Sequence, residues 1–278
     1  MNTDNLFVPH QEFNSLLMID HWIRKYPWLI AGFTTRQGGI SQDYYHSFNL
    51  GLHVDDDPEH VISNRKKLLQ LVDFTEDQWV SANQTHSDHL YHVGKNDGGK
   101  GLHSLETALD DVDGLYTTDD DKLLTSFYAD CVPLFFLDPG LRLIGVAHAG
   151  WKGTVAEIGP KLIRRWEEQF GSRVEDIQVV IGPSIGGCCY EVNDAVISHI
   201  PEQFRVEPVV IAKENGKYML DLKKCNANFL EKAGVPQQNI EISSWCTSCH
   251  QHLFFSHRKE QGRTGRMVAF IGQKGGKK

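Results

Sequence analysis

Two residues with the chemistry of a soft metal ligand or a nucleophile, Cys131 and His148, lie in the segment LLTSFYADCVPLFFLDPGLRLIGVAHAGWKG, residues Leu123–Gly153. That segment reads as two apolar strands around a tight turn. If Pro139 and Gly140 form a two-residue hairpin loop, Asp138 pairs with Leu141, and the same register sets Cys131 opposite His148. Directly opposed residues on one sheet face have Cβ atoms roughly 4.5–5.5 Å apart, close enough to share one metal ion or one proton. The turn chemistry pulls against this register: Pro-Gly prefers type II, whereas two-residue hairpins prefer the primed types. Pro133 fits a strand only at an edge or a bulge. A slip of one residue would send the two side chains to opposite faces.

A third ligand has three sources in sequence, His86, His89 and His92, which follow the short strand-like run Trp79–Ala82. Their spacing would place all three near one face of a helix, so spacing does not choose among them. His86 stands nearest the strand end, where loops carry function. One Cys and two His around an open fourth position make a catalytic zinc arrangement. Cys131 as a thiolate with His148 as its base, and no metal, would instead make a hydrolase.

A second cluster is CTSCHQH, Cys246–His252. Its CxxCH string matches the c-type haem attachment pattern, a chemistry of export compartments that finds no export signal here. Cys246, Cys249, His250 and His252 could instead be four ligands of a second metal, and the plain reading is a core cysteine followed by a loop. The adjacent pair Cys188-Cys189 reads as a buried turn. For anion contacts, Lys152 in Gly150-Trp151-Lys152-Gly153 leads toward a helix N-terminus, where N–H groups and the dipole favour phosphate. Arg36 is a further candidate, with Arg258, Lys259, Arg263 and Arg266 behind it. The Walker A spacing is absent.

The elements that must position these residues alternate. Strand-like runs at Trp28–Thr34, Trp79–Ala82, Leu123–Leu137, Leu141–Ala147, Ile177–Ile181, Ile240–Ser244 and Met267–Ile271 are separated by helix-like runs, an α/β pattern. A helix opens after Asp57 with Pro58 at its first position and carries Val61, Ile62, Leu68, Leu69 and Val72 on one stripe. Another spans Leu222–Ala233 and stops at Gly234. A third lies between Thr154 and Phe170, with Thr154 and Glu157 as a capping box or Pro160 as its true start. The 278 residues, with no internal repeat or low-complexity linker, are read as one domain over 1–278, with 1–27 as an N-terminal extension and 273–278 as a basic tail. The net charge of -8 argues against nucleic-acid and membrane-surface partners, because counterion release needs a basic face. No signal-peptide pattern and no long apolar run occur, so a cytoplasmic protein is expected, monomeric or homodimeric, its six cysteines free, metal-bound or catalytic.

Ala129-Asp130-Cys131-Val132-Pro133, Ala147-His148-Ala149-Gly150-Trp151-Lys152-Gly153, Ile181-Gly182-Pro183-Ser184-Ile185, and Phe254-Phe255-Ser256 with Thr264-Gly265-Arg266-Met267 resemble the YfiH/YlmD family, also called the multi-copper polyphenol oxidoreductase laccase or laccase-domain family. Thr34-Thr35-Arg36, Phe48–Val54 and Gln84-Thr85-His86 match in the expected order. The resemblance implies a single α/β (α+β) domain of layered mixed sheets flanked by helices. It also implies a zinc on His86, Cys131 and His148, which settles the choice of His86. The implied activities are phosphorolysis of purine nucleosides (adenosine, inosine, guanosine and methylthioadenosine) and deamination of adenosine, so purine nucleosides and phosphate are the expected partners. The family pattern has Tyr and Arg where this chain has His257 and Lys259. Asp130, next to Cys131, is expected to face the other way and serve structure. Against zinc stands copper (Cu2+), favoured by raw affinity and by the family's name, which would make a phenol oxidase. A metal-free Cys/His hydrolase and an editing enzyme for cell-wall precursors are also compatible with these residues.

Overall fold

A computed structural model describes residues 4–275. Two large sheets carry the chain. One has seven strands in the spatial order Phe7–Pro9, Leu16–Ile19, Leu29–Thr34, Met267–Gln273, Lys122–Tyr128, Trp79–Asn83, Leu109–Asp110. The other has six, in the order Ile240–Ile242, Gln178–Ile181, Val132–Asp138, Leu143–Ala149, Gly114–Thr117, Leu90–His92. Both mix parallel and antiparallel pairs. A small three-stranded sheet, Glu191–Val192, Tyr218–Leu220 and Val210–Ala212, sits apart in hydrogen bonding.

The side-chain alternation of a strand sorts the apolar residues into three cores. Phe135, Leu137, Ile144 and Val146 of the six-stranded sheet meet Leu124, Tyr128, Ala269 and Ile271 of the seven-stranded sheet. On the outer face of the six-stranded sheet, Leu134, Phe136 and Ala147 pack with Leu162, Ile163 and Trp166 of the helix Ile158–Phe170 and with Phe229 and Leu230 of the helix Leu222–Lys232. On the outer face of the seven-stranded sheet, Leu123, Phe127, Val268 and Phe270 pack with Leu68, Leu69 and Val72 of the helix Pro58–Val72. The central strands are buried on both faces, which is why their sequences read as unbroken apolar runs. The expected layered α/β (α+β) arrangement is therefore the observed one.

Asp57 caps the helix Pro58–Val72 by accepting from Glu59 N at 2.9 Å, with Pro58 at the first position as expected. From that helix Asn64 and Arg65 reach inward. Asn64 Nδ2 donates to the carbonyls of Ser47 and Asn49, and Arg65 Nε donates to Leu50 O at 2.8 Å, so both pin the loop that precedes the helix.

Three expectations need correction. Leu123–Leu137 is two strands, Lys122–Tyr128 and Val132–Asp138, one in each large sheet. The hairpin after Asp138 has four loop residues: Asp138 pairs with Leu143, and Asp138 Oδ1 accepts from the backbone N–H groups of Gly140 and Leu141. Pro-Gly thus occupies a longer turn, which closes through Arg142 in a left-handed conformation at φ 49°, and His148 pairs with Pro133. Thr154 and Glu157 form no capping box; Glu157 takes a left-handed φ of 57° between a short helix, Trp151–Val155, and the helix that begins at Ile158. Pro160 sits in that helix's first turn, where no intrahelical bond needs its N–H. Within the expected N-terminal extension, Phe7–Pro9 and Leu16–Ile19 complete one side of the seven-stranded sheet. Of the expected tail, Gln273 ends the last strand and Lys274 Nζ pairs with Asp73, while 276–278 lie outside the described residues. Among the described residues no helix is long and apolar enough to cross a membrane.

Candidate metal centre

Cys131 lies where the chain steps from one large sheet to the other, in the three residues Ala129-Asp130-Cys131 between the two strands. Asp130 makes the step with φ at 84°, a left-handed conformation that Asp tolerates better than most residues. Its carboxylate then fixes the step. Oδ1 accepts from Thr247 Oγ1 at 2.6 Å, and Oδ2 accepts from Ser256 Oγ at 3.0 Å and Arg258 N at 2.7 Å. The expectation that Asp130 serves structure agrees with this: both oxygens are engaged in tying the 246–258 segment to the crossover.

The four-residue hairpin loop shifts the register by two residues from the two-residue case, so Cys131 stands across from Gly150 and diagonal to His148. A shift of two keeps the side chains on the same face. Gly150 is required there: a Cβ at this position would lie 3.0 Å from Cys131 Sγ and 3.0 Å from His86 Cδ2. The missing side chain leaves room between the thiol and the imidazole.

His148 and His86 are set by one carboxylate. Asp113, fully buried, bonds His148 Nδ1 through Oδ1 at 2.7 Å, which leaves Nε2 for the site. Its Oδ2 accepts from Ser87 N at 2.7 Å, Ser87 Oγ at 2.8 Å and Thr85 N at 3.2 Å, the residues on either side of His86. His86 itself has φ 61°, which turns its ring back toward His148; the two rings meet edge to face at 4.8 Å. His86 Nε2 is 3.9 Å from Cys131 Sγ. One ligand atom from each of His86, Cys131 and His148 lies within 4.8 Å of the other two. Residues 84–89 are a loop and Leu90–His92 a strand, not the helix that would have aligned three histidines. His89 pairs with Asp111 and His92 stacks on Tyr116, so neither joins the cluster.

The electrostatics couple the three groups. Burial would raise the Cys131 thiol, but the charge of His148 and hydrogen bonds from both histidines outweigh it and bring the thiol down to about 6. Burial would lower His148; Cys131 and Asp113 outweigh it and raise the imidazole to about 9. The donor set fits a borderline-soft divalent ion: a thiolate and two imidazoles, one of them fixed by a carboxylate as metal-bound histidines usually are.

The three residues line one side of a cavity of about 380 Å³, within the range of small-molecule sites. Phe127, Trp151, Ile185 and Tyr190 give it apolar walls, and His53, His257, Arg258 and Arg266 bring polar heads. Burial and the charge of Arg266 push His53 down to about 3, so it is a neutral imidazole at physiological pH. Burial pushes Tyr190 up to about 12 and holds Arg266 below the usual guanidinium range. Arg258 lies over the Tyr190 ring at 5.1 Å and donates to Glu191 O.

The two leading anion candidates of the sequence lie elsewhere. Arg36 lies against Phe255, pairs with Glu260 at 2.9 Å and lines a different hollow with Gln251 and His252. Lys152 is exposed, with Nζ 6.0 Å from the Trp151 ring, and is not among the cavity's lining residues. Arg258 and Arg266, the lesser candidates, reach it. His257, a departure from the family pattern, lines the cavity from a turn; Lys259 does not line it. Sequence reasoning misses His53 and Tyr190, since a single His or Tyr in a loop carries no periodic signal. The expected second cluster is rearranged as well. Cys246 and Cys249 meet Cys188 and Cys189, while His250 Nδ1 bonds Cys246 O and packs on Trp245.

Among known proteins, the chain is 44% identical over 265 residues to "Purine nucleoside phosphorylase YlmD" of Bacillus subtilis, covering 94% of this chain and 95% of the relative. It is 43% identical over 247 residues to the protein of the same name from Geobacillus stearothermophilus, covering 88% and 90%. Its fold superposes on the crystal structure of the Bacillus licheniformis hypothetical protein YfiH with a TM-score of 0.91 at 44% identity, over 97% of this chain and 100% of that one. YlmD from Geobacillus stearothermophilus gives 0.91 at 40% identity with the same coverage. The sequence model of the family described as multi-copper polyphenol oxidoreductase laccase matches residues 30–274. With Cys131 and His148 in its central hairpin and relatives of this likeness along nearly its whole length, the chain belongs to the laccase-domain family.

Proposed function

We propose that this protein is a zinc-dependent purine nucleoside phosphorylase acting on adenosine, inosine, guanosine and methylthioadenosine, with adenosine deamination as a second activity of the same site. The observation that carries the proposal is the convergence of His86, Cys131 and His148 at the wall of a nucleoside-sized cavity that also presents Arg258 and Arg266. The purine nucleoside phosphorylase names of the relatives supply the substrate class.

Phosphorolysis breaks the bond between C1′ of the ribose and the purine nitrogen while a phosphate oxygen bonds to C1′; the electron pair of the broken bond leaves with the base. The ribose carries positive charge at the transition state, and the dianionic nucleophile must be held against it. His86, Cys131 and His148 would hold a zinc ion, which when bound supplies fixed positive charge to an oxygen or nitrogen of the reacting partners. Arg258 and Arg266 provide the donors that a phosphate needs, in a cavity where low dielectric strengthens them. Tyr190 and Trp151 offer flat apolar faces to the purine.

A proton must reach the departing base. Asp130, the carboxylate among the lining residues, already accepts three hydrogen bonds, so the task falls to an imidazole. His53, held neutral, is a poor proton donor, which leaves His257, the other histidine on the wall outside the His86–Cys131–His148 cluster. Deamination of adenosine would instead require C6 of the base, not C1′, to face the site: water forms the C6–O bond and the amino group leaves as ammonia, giving inosine.

Zinc is preferred to copper because phenol oxidation of the laccase type needs several coppers and many histidines. Among the described residues the other potential metal-ligating cluster is four cysteines without a histidine. Incubation of zinc-loaded protein with inosine should release hypoxanthine and ribose 1-phosphate only when phosphate is present. Equal base release without phosphate would make the reaction a hydrolysis. Oxidation of phenols by copper-loaded protein, with no base released, would establish the oxidase instead.

A further inference from the structure

Cys188 and Cys189, in the turn after Gly186-Gly187, meet Cys246 and Cys249 of a second turn, and the four Sγ atoms lie within 4.8 Å of one another. Cys188 Sγ is 3.8 Å from Cys189 Sγ and 3.7 Å from Cys249 Sγ, and Cys189 Sγ is 3.4 Å from Cys249 Sγ. All four are free thiols. A tetrahedral zinc bound to sulfur at ~2.3 Å sets its ligand atoms about 3.8 Å apart, so the thiols already have nearly the spacing of that tetrahedron's edges.

The surroundings suit a cluster of negative sulfurs. Gly186 N donates to Cys246 Sγ at 3.2 Å. Lys223, buried, donates from Nζ to Ser243 O at 2.7 Å and Trp245 O at 3.0 Å, where its charge interacts with Cys246 and Cys188. Four thiolates around a divalent ion carry a net charge of −2, and a buried ammonium beside them offsets part of it.

We propose that Cys188, Cys189, Cys246 and Cys249 form a tetrathiolate zinc site, separate from His86, Cys131 and His148, that clasps the turn at 184–190 to the turn at 246–250. Binding exchanges four thiol protons for one divalent cation and changes no oxidation state. The clasp falls where the two turns already touch: Thr247 N donates to Ser184 O at 3.0 Å. The first turn delivers Ile185 and Tyr190 to the cavity, and the chain beyond the second turn runs on to His257 and Arg258, which also line it. The site's role is to fix the wall of the cavity, as a closed four-ligand zinc does elsewhere.

The test is metal content of the full chain, purified without a histidine tag under reducing conditions, loaded with zinc and freed of excess. The wild type should hold two zinc ions per chain. The triple variant His86→Ala, Cys131→Ala, His148→Ala should keep one, and X-ray absorption at its zinc edge should show four sulfurs. Cys188→Ser with Cys249→Ser should also reduce the wild type to one. If that double variant does not fold, the triple variant's spectrum decides by itself. A triple variant that takes up no zinc, or whose zinc is bound by nitrogen or oxygen, overturns the proposal. So does the finding of four free thiols in place of six in never-reduced, denatured wild type together with the absence of a second zinc, which would make the cluster a disulfide. No arm uses turnover, so the result stands apart from the reaction assigned to the first site.

Discussion

Asp113→Asn isolates the carboxylate that orients His148 and the loop bearing His86 in the proposed metal centre. Asp113 accepts from His148 Nδ1 on one oxygen and from Ser87 N, Ser87 Oγ and Thr85 N on the other. An amide keeps the shape and loses one of these two faces whichever way it is turned. With its NH2 toward His148, Nδ1 must accept, the proton moves to Nε2, and the nitrogen that faces Cys131 no longer has a lone pair for a metal. With its NH2 toward Ser87 and Thr85, donors meet two backbone N–H groups and the loop carrying His86 loses its anchor. Removal of such a partner typically costs 10- to 100-fold in metal affinity, about 1.4–2.7 kcal/mol. Zinc affinity measured by competition with a fluorescent chelator should fall by that factor, and kcat/KM for inosine should fall with it at sub-saturating zinc. Asp120→Asn, which breaks an exposed ion pair with Arg142, is the control and should change neither. An Asp113→Asn protein with unaltered zinc affinity and activity would refute the reasoning that His148 needs its Nδ1 proton held in place.

Four further outcomes follow from the same geometry. Gly150→Ala should fold, since Gly150 has φ −65°, yet lose zinc, because the new methyl lies 3.0 Å from both Cys131 Sγ and His86 Cδ2; far-UV circular dichroism and metal analysis check the two halves. Arg258→Ala should raise the KM for phosphate roughly 10- to 100-fold, the worth of a charged hydrogen bond. Arg36→Ala should leave that KM alone and lower stability by roughly 1.5–3 kcal/mol in urea unfolding, through its lost bonds to Glu260 and Gln251 O. In metal-free protein Cys131 should react with iodoacetamide along a titration centred near pH 6. Because the pKa is lowered, the thiolate and its reactivity are present above that pH and vanish as pH falls through it. Zinc should suppress the reaction, and rapid labelling of the zinc-loaded protein would favour a nucleophilic cysteine.

How much of the fold and the site is legible in the sequence depends on range. The helix after Asp57 can be read from cap, proline and stripe because those signals act within a turn. The break between Tyr128 and Val132 cannot, because both strands are buried on both faces and leave no polar alternation to mark a change of sheet. The cysteine cluster shows the same limit. Cys246 and Cys249 are visible as a spaced pair, but their partners Cys188 and Cys189 are some sixty positions away, and only the fold brings them together. Arg36 and Lys152 look equivalent to Arg258 and Arg266 as cations. What separates them is place: Arg258 and Arg266 line the cavity, whereas Arg36 pairs with Glu260 in a different hollow and Lys152 is exposed outside it, a property of the packed molecule.

The direct pairing of Cys131 with His148 rests on a turn that does not exist, yet both side chains are found together. A strand's two faces repeat every second residue, so the two-residue shift moves Cys131 from opposite His148 to opposite Gly150 without changing its face. A loop of three residues, or of five, would have separated them. The observed register is also the more useful one for an ion. Direct opposition of two side chains fills the space between them, whereas a diagonal pair across a glycine leaves it open and lets His86, turned in by its left-handed backbone, supply the third donor. The identity of residue 150 is therefore as much a part of the site as its ligands.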